Sequence, residues 1–240
     1  MRSRPSRPAS LLLAGLLSLP TACAGAAPSA PPEASVRPGI NANFLDPALD
    51  VDEWVARFEG ESREIFTQRL ALAAALHLRP GDDVADVGAG TGLFLDPFAS
   101  AVGTEGKVYA VDISPVFIQH LGVRARELDL PQVVPHLCRE DSVDLPARSL
   151  DKAFICDTYH HFEYPRSTMA SLHEALRKGG EVVIVDFERV PGVSRDWVLE
   201  HVRCGKQVVI DEVTSFGFEL VEEVPVAGLS ENYVLRFAKR

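Results

Sequence analysis

Apolar residues recur at three- and four-residue spacing over residues 46–78, which is the spacing of one helix face. Trp54 and Phe58 belong to this face. Asp52 stands near the start of the segment, where an N-terminal cap is expected, and Arg79-Pro80-Gly81 would end it. The pattern therefore predicts that residues 46–78 are helical.

From residue 83 onward, short apolar runs alternate with helical stretches. The runs are almost continuously apolar, which is typical of strands buried on both faces. Predicted strands span 83–87, 107–111, 133–138, 152–156 and 181–186, and predicted helices span 93–102, 115–128 and 166–177. This alternation predicts a parallel sheet with helices on both faces.

The C-terminal part departs from this alternation. After a predicted helix over 206–215, two apolar runs at 218–224 and 233–237 lie close together and predict an antiparallel hairpin at the sheet edge. The whole pattern predicts an α/β fold with a doubly wound, seven-stranded, mostly parallel sheet. Residues 188–205 are extra material, in which a short helix is expected near the ligand-binding edge of the sheet.

The N-terminus resembles an export signal. Three arginines in the first seven residues precede the apolar run Leu11 to Leu19, which is too short to span a bilayer but typical of a signal peptide. Small residues then lead to Cys23, as in a bacterial lipoprotein processing site, although Pro20 stands where leucine is usual. We therefore expect lipidation of Cys23 and a membrane tether through it. The alternatives are a cleaved signal without lipid, or a start codon placed too far upstream.

These features divide the chain into three parts. The signal peptide is predicted over 1–23, a flexible Ala/Pro/Ser-rich tether over 24–45 and the folded domain over 46–240. The expected location is the cell envelope or periplasm. If the N-terminal segment is a wrongly assigned start, the location would be the cytoplasm.

Charge and cysteine usage narrow the function classes. The 240-residue chain carries a formal net charge of −10, whereas binding to nucleic acid through phosphates requires a basic face. We therefore expect no nucleic-acid partner. Apart from Cys23, the cysteines are Cys138, Cys156 and Cys204, whose wide spacing fits neither a disulfide framework nor a zinc site. We predict no metal site, and we expect Cys138 and Cys156 to be small core residues.

A glycine-rich turn carries the candidate chemistry. The segment Asp86-Val-Gly88-Ala-Gly90-Thr-Gly92 follows the first predicted strand and opens a helix, so its backbone can turn tightly and approach a ligand closely. The second strand ends at Asp112, about where an acidic residue meets ribose hydroxyls in such folds. Asp112 could equally be a helix cap or a turn residue, and both roles can hold together.

The segment Asp86–Gly92 resembles motif I of class I S-adenosylmethionine-dependent methyltransferases, which have a Rossmann-like fold. Further matches are Asp112 after strand two, Glu140-Asp141-Ser142 with Leu145-Pro146 after strand three, Leu150-Asp151 before strand four, and Arg177-Lys-Gly-Gly180 before strand five. These matches cover about residues 80–190 and favour the small-molecule and quinone-type subgroup. The resemblance implies S-adenosylmethionine as cofactor and methyl transfer to a small or lipid-like acceptor.

The resemblance also implies a role for each site residue. Asp86 and the backbone of Gly88, Ala89, Gly90 and Gly92 would hold the methionine end of the cofactor, Asp112 the ribose, Ile113, Asp141 and Ser142 the adenine, and Asp157 would face the methionyl group. Independent physical reasons agree with these roles. One carboxylate can accept two adjacent hydroxyl donors, and an acidic pocket suits a sulfonium cation.

Residues after the fourth strand and in the insertion are candidates for contact with the acceptor. His161 or His160 could act as a general base, because histidine titrates near neutral pH; the alternative is that both are structural or solvent-facing. Tyr159, Arg195 and Trp197 are candidate substrate contacts, with ordinary packing as the alternative. The predicted N-terminal helix, with Trp54, Arg57, Phe58 and Arg63, could cover the cofactor.

Two other functions compete with catalysis. One is a binding module at the cell envelope that holds S-adenosylmethionine or its demethylated product without turnover. The other is a metalloid methyltransferase that uses Cys156 and Cys204, although the residues around these cysteines do not match that family.

Overall fold

The computed structural model describes Met1, residues 32–60 and residues 63–240. The predicted signal peptide and Cys23 lie outside these ranges, Met1 excepted, and stay predictions. Residues 33–240 form one compact unit, and the description below concerns this unit.

A seven-stranded sheet forms the centre of this unit. Its strands are β1 (Asp83–Val87), β2 (Lys107–Asp112), β3 (Val133–Leu137), β4 (Leu150–Cys156), β5 (Leu176–Phe187), β6 (Phe218–Glu223) and β7 (Asn232–Lys239). The strand order is β3-β2-β1-β4-β5-β7-β6. Strands β1 to β5 pair in parallel, while β7 runs antiparallel to both β5 and β6. The predicted doubly wound α/β fold with its C-terminal hairpin is confirmed.

Helices cover both faces of the sheet. In the described residues they are α1 (Ala42–Leu45), α2 (Val51–Phe58), α3 (Glu64–Thr67), α4 (Arg69–Ala74), α5 (Leu95–Val102), α6 (Pro115–Glu127), α7 (Pro165–Ala175), α8 (Asp196–His201) and α9 (Lys206–Ser215). Successive strand residues point to opposite faces, so Phe154 joins one core with α4, α5 and α6, and Ile155 joins the other with α7 and α9. None of the helices in the described ranges has the length and apolarity that crossing a bilayer requires.

The predicted helical segment over 46–78 is interrupted. Three helices, α2, α3 and α4, occupy most of it, and Asp50 rather than Asp52 caps α2 by accepting a hydrogen bond from the Asp52 N–H at 3.0 Å. Gly60 follows α2, and glycine is a poor helix former, so the apolar periodicity continues across a real break.

Two further boundaries differ from the prediction. Helix α7 ends at Ala175, not at residue 177, and β5 begins at the next residue, Leu176. The register of β5 against β4 then shifts before Glu181, and Gly179 adopts a positive φ of 78° in this interval. Gly179 therefore lies in the irregular first part of β5, after the helix has already ended at Ala175.

The predicted tether over 24–45 is wrong for residues 33–45, which pack against the domain. Glu163, 6% exposed, accepts hydrogen bonds from the Ser35 hydroxyl at 2.6 Å and the Gly39 N–H at 2.8 Å. The segment continues into α1, where Phe44 packs against Trp54 with 4.8 Å between the ring centroids. The Ala/Pro/Ser composition is misleading here because the contacts come from residues far away in sequence.

Candidate cofactor and acceptor site

A large cavity lies where the parallel strands end. Its volume is about 880 Å³, within the range of small-molecule sites, and open parallel sheets bind ligands at this edge. Its lining includes Asp86 in β1 with the glycine turn that follows, Asp112 at the end of β2 and Asp157 directly after β4. Side chains from the N-terminal helices and from α8 also line it, so the segment that precedes the sheet and the insertion after β5 both contribute.

The glycine turn is fixed by hydrogen bonds to the neighbouring strand. The Gly88 and Ala89 N–H groups donate to the Val111 carbonyl at 2.8 and 3.0 Å, and the Gly90 N–H donates to Asp112 Oδ2 at 2.8 Å. Gly88 has a φ of 79°, and a Cβ there would lie 2.3 Å from Thr158 Cγ2. Only glycine fits this position, and the turn presents its backbone to the cavity.

Asp86 is a buried carboxyl group that faces the cavity. It is 2% exposed, and among the described residues its Oδ2 finds no hydrogen-bond donor. Burial, reinforced by the nearby charge of Asp112, raises the pKa of Asp86 to about 7. An unpartnered carboxylate oxygen at this depth is suited to receive a cationic or donor group of a ligand.

Asp112 supports the turn and also lines the cavity. Its Oδ1 accepts a hydrogen bond from the Ser114 N–H at 2.8 Å, and its Oδ2 accepts the bond from Gly90. Burial raises the pKa of Asp112 to about 6, and the hydrogen bonds from Ser114 and Gly90 oppose this rise. A carboxylate has about four acceptor positions, so two backbone bonds leave capacity for ribose hydroxyls. The turn-residue role and the ligand role are therefore compatible.

These features fit S-adenosylmethionine. The cofactor combines a cationic sulfonium and an ammonium group with two adjacent ribose hydroxyls, and the cavity offers two buried carboxyl groups beside exposed backbone. Ile113 and Ser142, predicted to contact the adenine, line the same cavity.

Two predicted cofactor residues lie outside the large cavity. Asp141 is exposed, lies 3.8 Å from Arg139, and lines an adjoining depression of about 390 Å³ that shares Ile113 with the cavity. Gly92 packs instead of facing ligand, because a Cβ there would lie 2.9 Å from side chains of Leu95 and Leu121. Gly92 thus allows close packing of α5 and α6 under the turn.

Asp157 is placed in the cavity but is already engaged. Its Oδ1 accepts a hydrogen bond from Asn232 Nδ2 at 2.6 Å, and its Oδ2 forms an ion pair with Arg63. Burial raises the pKa of Asp157 to about 6, while the Arg63 charge opposes the rise. Asp157 has a left-handed φ of 48°, which is unfavourable for a non-glycine residue and is maintained by these contacts. It links the N-terminal helices to the C-terminal hairpin across the cavity.

Aromatic rings form a continuous wall along the cavity. Phe58 lies closest to the glycine turn, 3.6 Å from where a Gly90 Cβ would be. The ring centroids then follow one another at 5.0, 4.8, 5.2, 5.0 and 6.1 Å in the order Phe58, Trp54, Phe44, His161, His201 and Trp197. This aromatic wall connects the cofactor end of the cavity with α8, and Arg195 and Trp197 line its far end as predicted acceptor contacts.

Three histidines meet beside the wall, and two of them, His161 and His201, belong to it. One ring nitrogen from each of His160, His161 and His201 lies within 4.8 Å of the others. His160 Nδ1 is 2.7 Å from Asp186 Oδ1, and His161 Nε2 is 3.2 Å from His201 Nε2. Sequence reasoning missed this cluster because His201 is 40 residues from His161. The prediction of no metal site was argued from the cysteine spacing, and it stays a prediction beside this group of three imidazoles.

The pKa of His161 bears on its predicted role as a base. Burial and the neighbouring histidines lower this pKa to about 2, so the imidazole is neutral at physiological pH. The strength of a general base follows its pKa, and the most effective value lies near the working pH. His161 is therefore well placed to contact an acceptor but is a weak proton acceptor.

Tyr159 is not an acceptor contact. Its side chain is fully buried, its ring packs against Phe162 and its hydroxyl donates to Glu212 Oε2 at 2.8 Å. Burial and the Glu212 charge raise the pKa of this phenol above its ordinary value. Tyr159 therefore belongs to the core on the α7 and α9 side of the sheet and is bonded to α9.

The cysteines are not arranged for metalloid chemistry. Cys156 lines the cavity, whereas Cys204 is buried in the core. Burial raises the pKa of Cys204 to about 12 and that of Cys156 well above its ordinary value, so both are protonated thiols and not the thiolates that bind arsenic. Cys138 and Cys156, expected in the core, are only half-buried.

The central part of the sequence is similar to known methyltransferase domains. Residues 84–180 match the family described as Methyltransferase domain. This match covers the part of the chain that carries the glycine turn, and the sheet order agrees with the Rossmann-like fold that the resemblance to class I S-adenosylmethionine-dependent methyltransferases implied. The cofactor of this class is S-adenosylmethionine.

Individual relatives agree with this class. A ubiquinone/menaquinone biosynthesis C-methyltransferase from Burkholderia mallei (strain SAVP1) is 30% identical over 118 residues, which cover 49% of this chain and 48% of the relative. The match therefore spans about half the length of that curated protein.

Solved structures share the fold. A SAM-dependent methyltransferase from Aquifex aeolicus superposes with a TM-score of 0.70 at 23% identity, covering 80% of this chain and 99% of that one. A protein from Bordetella parapertussis, described as a possible exported protein, gives a TM-score of 0.58 at 17% identity, covering 72% of this chain and 67% of that one.

Proposed function

We propose that this chain transfers the methyl group of S-adenosylmethionine to a small or lipid-like acceptor, and that the acceptor is an aromatic ring of quinone type. The observation that carries the proposal is the cavity itself, in which buried carboxyl groups at the glycine turn lead directly into the aromatic wall. One end suits a cationic nucleoside, and the other suits a flat apolar ring.

The cofactor end would work through a few groups. When bound, S-adenosylmethionine supplies an electrophilic methyl group. Asp112 would accept the ribose hydroxyls, Asp86 and the backbone of the turn would hold the methionyl end, and Ile113 would pack on the adenine. The turn is braced by β2, so these groups are positioned before the ligand arrives.

The acceptor end would position the ring and exclude water. Phe44 and Trp54 lie between the glycine turn and the histidines, and Trp197 lines the far side. Methyl transfer is an in-line displacement, which is accelerated when donor and acceptor are held close and aligned in a dry site. Aromatic rings attract one another in stacked or edge-on arrangements, so this wall favours aromatic acceptors over hydrophilic ones.

The quinone-type acceptor has independent support. The Burkholderia relative is named for C-methylation in ubiquinone and menaquinone biosynthesis. Its aligned segment is about half of each chain, so acceptor preference is inferred here from the aromatic wall and the relative together.

A label-transfer assay tests the function. Purified protein is incubated with methyl-labelled S-adenosylmethionine and separate acceptor panels of demethylated quinols, simple phenols and primary amines, with the Asp112→Ala variant as control. We expect label in the quinols and release of the demethylated cofactor. Tight cofactor binding without transfer to any panel member or to a lipid extract would contradict the proposal and favour a non-catalytic binding module.

We further propose that the chain is exported and tethered through lipidated Cys23. The positive stretch, the short apolar run and the small residues before Cys23 support this. Metabolic labelling with palmitate tests it. We expect label in the wild-type chain and none in Cys23→Ser; equal labelling of both would contradict lipidation at this position.

A further inference from the structure

We propose that His160, His161 and His201 form a binding site for one divalent transition metal ion, with a coordination position open to an oxygen of the acceptor. The imidazoles face one another in the cavity, and those of His161 and His201 stand between Phe44 and Trp197 in the aromatic wall. Histidine is the commonest protein ligand for such ions, and three histidines with an open position are a recurrent catalytic zinc arrangement.

The separation of the His161 and His201 nitrogens matches that of two ligands bound to one metal ion. His161 Nε2 and His201 Nε2 lie 3.2 Å apart. Two nitrogens bound tetrahedrally to one zinc ion at about 2.0–2.1 Å are separated by about 3.3 Å. Without an ion, one of these nitrogens carries a proton and donates it to the other; with an ion, both lone pairs are free to bind the metal at the same separation.

The third histidine is braced as metal ligands usually are. His160 Nδ1 lies 2.7 Å from Asp186 Oδ1, and Asp186 also accepts the His160 and Phe187 N–H groups. A proton on Nδ1 leaves the lone pair on Nε2 free for an ion, and a carboxylate behind a histidine is the usual support of a metal-bound imidazole. His160 and Asp186 are 3% and 1% exposed, so this pair is held firmly.

The neighbouring charges indicate which fourth ligand suits the ion. Arg37 donates to the His201 and Glu200 carbonyls, and Arg57 stacks on Trp54 nearby. Asp186 and Asp157 are the nearby carboxyl groups, and a divalent ion would add two positive charges to those of Arg37 and Arg57. An anionic oxygen ligand, such as a phenolate or carboxylate of the acceptor, would therefore be favoured over a neutral one. This statement about the acceptor rests on the proposed function, whereas the metal site itself does not.

The test is metal binding by tag-free, chelator-treated protein. Zn²⁺ is titrated against a competing chromophoric chelator, and Co²⁺ is added separately to read coordination from its visible absorption. We expect one ion per chain and the Co²⁺ spectrum of a four-coordinate site with nitrogen ligands. Absence of binding, or a thiolate-to-cobalt charge-transfer band that assigns the ion to cysteine, would overturn the proposal.

Variants locate the ion. His201→Ala should weaken Zn²⁺ binding at least tenfold, and Asp186→Asn should weaken it by about 10- to 100-fold through loss of the brace. His77→Ala, an exposed histidine outside the cavity, should bind as the wild type does. Equal affinity in His201→Ala and the wild type would overturn the site. If His201→Ala fails to fold, His201→Gln takes its place. Weaker Zn²⁺ binding by His201→Gln, together with a nitrogen-ligand Co²⁺ spectrum of the wild type, then supports the site, and unchanged binding overturns it.

The same samples separate this inference from the proposed function. Binding of S-adenosylhomocysteine is measured in the presence and absence of Zn²⁺. Cofactor-product binding without metal binding overturns the metal site alone. Metal binding without cofactor-product binding supports the metal site and contradicts the proposed function.

Discussion

Asp86 sits in an environment that favours its protonated form. Its raised pKa, about 7 against an ordinary value of 3.8, means that the folded chain keeps a proton that the unfolded chain loses near pH 4. The contribution of Asp86 to folding stability therefore falls as the pH rises from about 4 to about 7. A buried carboxyl group that lowers folding stability in this way is typical of a functional site, where a ligand supplies the missing hydrogen-bond or charge partner.

Asp86→Asn tests this environment. At pH 8 we expect the ligand-free variant to be more stable than the wild type by about 2–4 kcal/mol, because it removes a buried negative charge. At pH 4 the gain should vanish. Denaturant unfolding at both pH values measures it, with the exposed Asp211→Asn as control. A gain of equal size at both pH values would show that the charge is not the cause.

Asp112→Ala tests the ribose assignment. We expect the affinity for S-adenosylhomocysteine to fall by about 1–3 kcal/mol, because charge-assisted hydrogen bonds to the ribose are lost. Asp141→Ala is the informative comparison: its exposed carboxylate lies outside the large cavity, so we expect a change below about 1 kcal/mol. A larger effect of Asp141 than of Asp112 would reverse the two assignments.

At the residue scale, the sequence predicted those site residues that lie close together along the chain. Asp86, Gly88 and Asp112 lie in or next to one strand–turn–helix motif, so their spacing alone indicated a ligand site. His201 and Asn232 come from distant segments, and only the folded chain brings them beside His161 and Asp157. Tyr159 shows the opposite error, since a residue next to a site in sequence can point into the core.

Among the elements, the N-terminal segment differs most from its prediction. Residues 33–45 contribute to the cavity lining because Glu163, more than 120 residues away, accepts hydrogen bonds from Ser35 and Gly39. Composition could not reveal this, because Ala, Pro and Ser are common both in tethers and in packed irregular segments. The segment carries Phe44 into the aromatic wall, so its docking affects acceptor binding.

Glu163→Ala should release the segment. We expect a loss of about 1–3 kcal/mol in unfolding free energy from the broken buried hydrogen bonds, together with faster proteolytic cleavage within residues 33–45. Limited proteolysis followed by mass spectrometry locates the cuts. Glu174→Ala, on the exposed face of α7, provides the matched control. Cleavage that is unchanged by Glu163→Ala would mean that other contacts hold the segment.

Two glycines with positive φ can be compared, Gly88 in the glycine turn and Gly103 at the C-terminal cap of α5. Gly88 and Gly103 have φ values of 79° and 67°, but a Cβ would collide with Thr158 only at Gly88 and would meet open space at Gly103. Gly103 has a ψ of −163°, in a region that is essentially restricted to glycine, so Gly103→Ala should cost about 1–3 kcal/mol from backbone strain. Gly88→Ala should cost about 1–3 kcal/mol more from overpacking and should also abolish cofactor binding. Equal losses of unfolding free energy in both variants would contradict the close approach.

At the scale of the whole molecule, the large cavity combines an acidic end at the glycine turn with an aromatic and histidine-lined end. The fold places the acidic turn at the carboxyl edge of the sheet, and the segments before and after the Rossmann-like core add the aromatic wall and the histidines. The alternation of strands and helices made the first part predictable. The second part depends on how α1, α2 and α8 pack over the sheet, which no local pattern specifies.

The account depends most directly on the cavity being a binding site for an adenosyl ligand. Calorimetric titration of the full-length wild-type chain with S-adenosylhomocysteine measures this. We expect a single binding event with one ligand per chain and a higher melting temperature of the complex. A folded protein that releases or absorbs no heat with this ligand, and whose melting temperature does not change, would contradict the central claim.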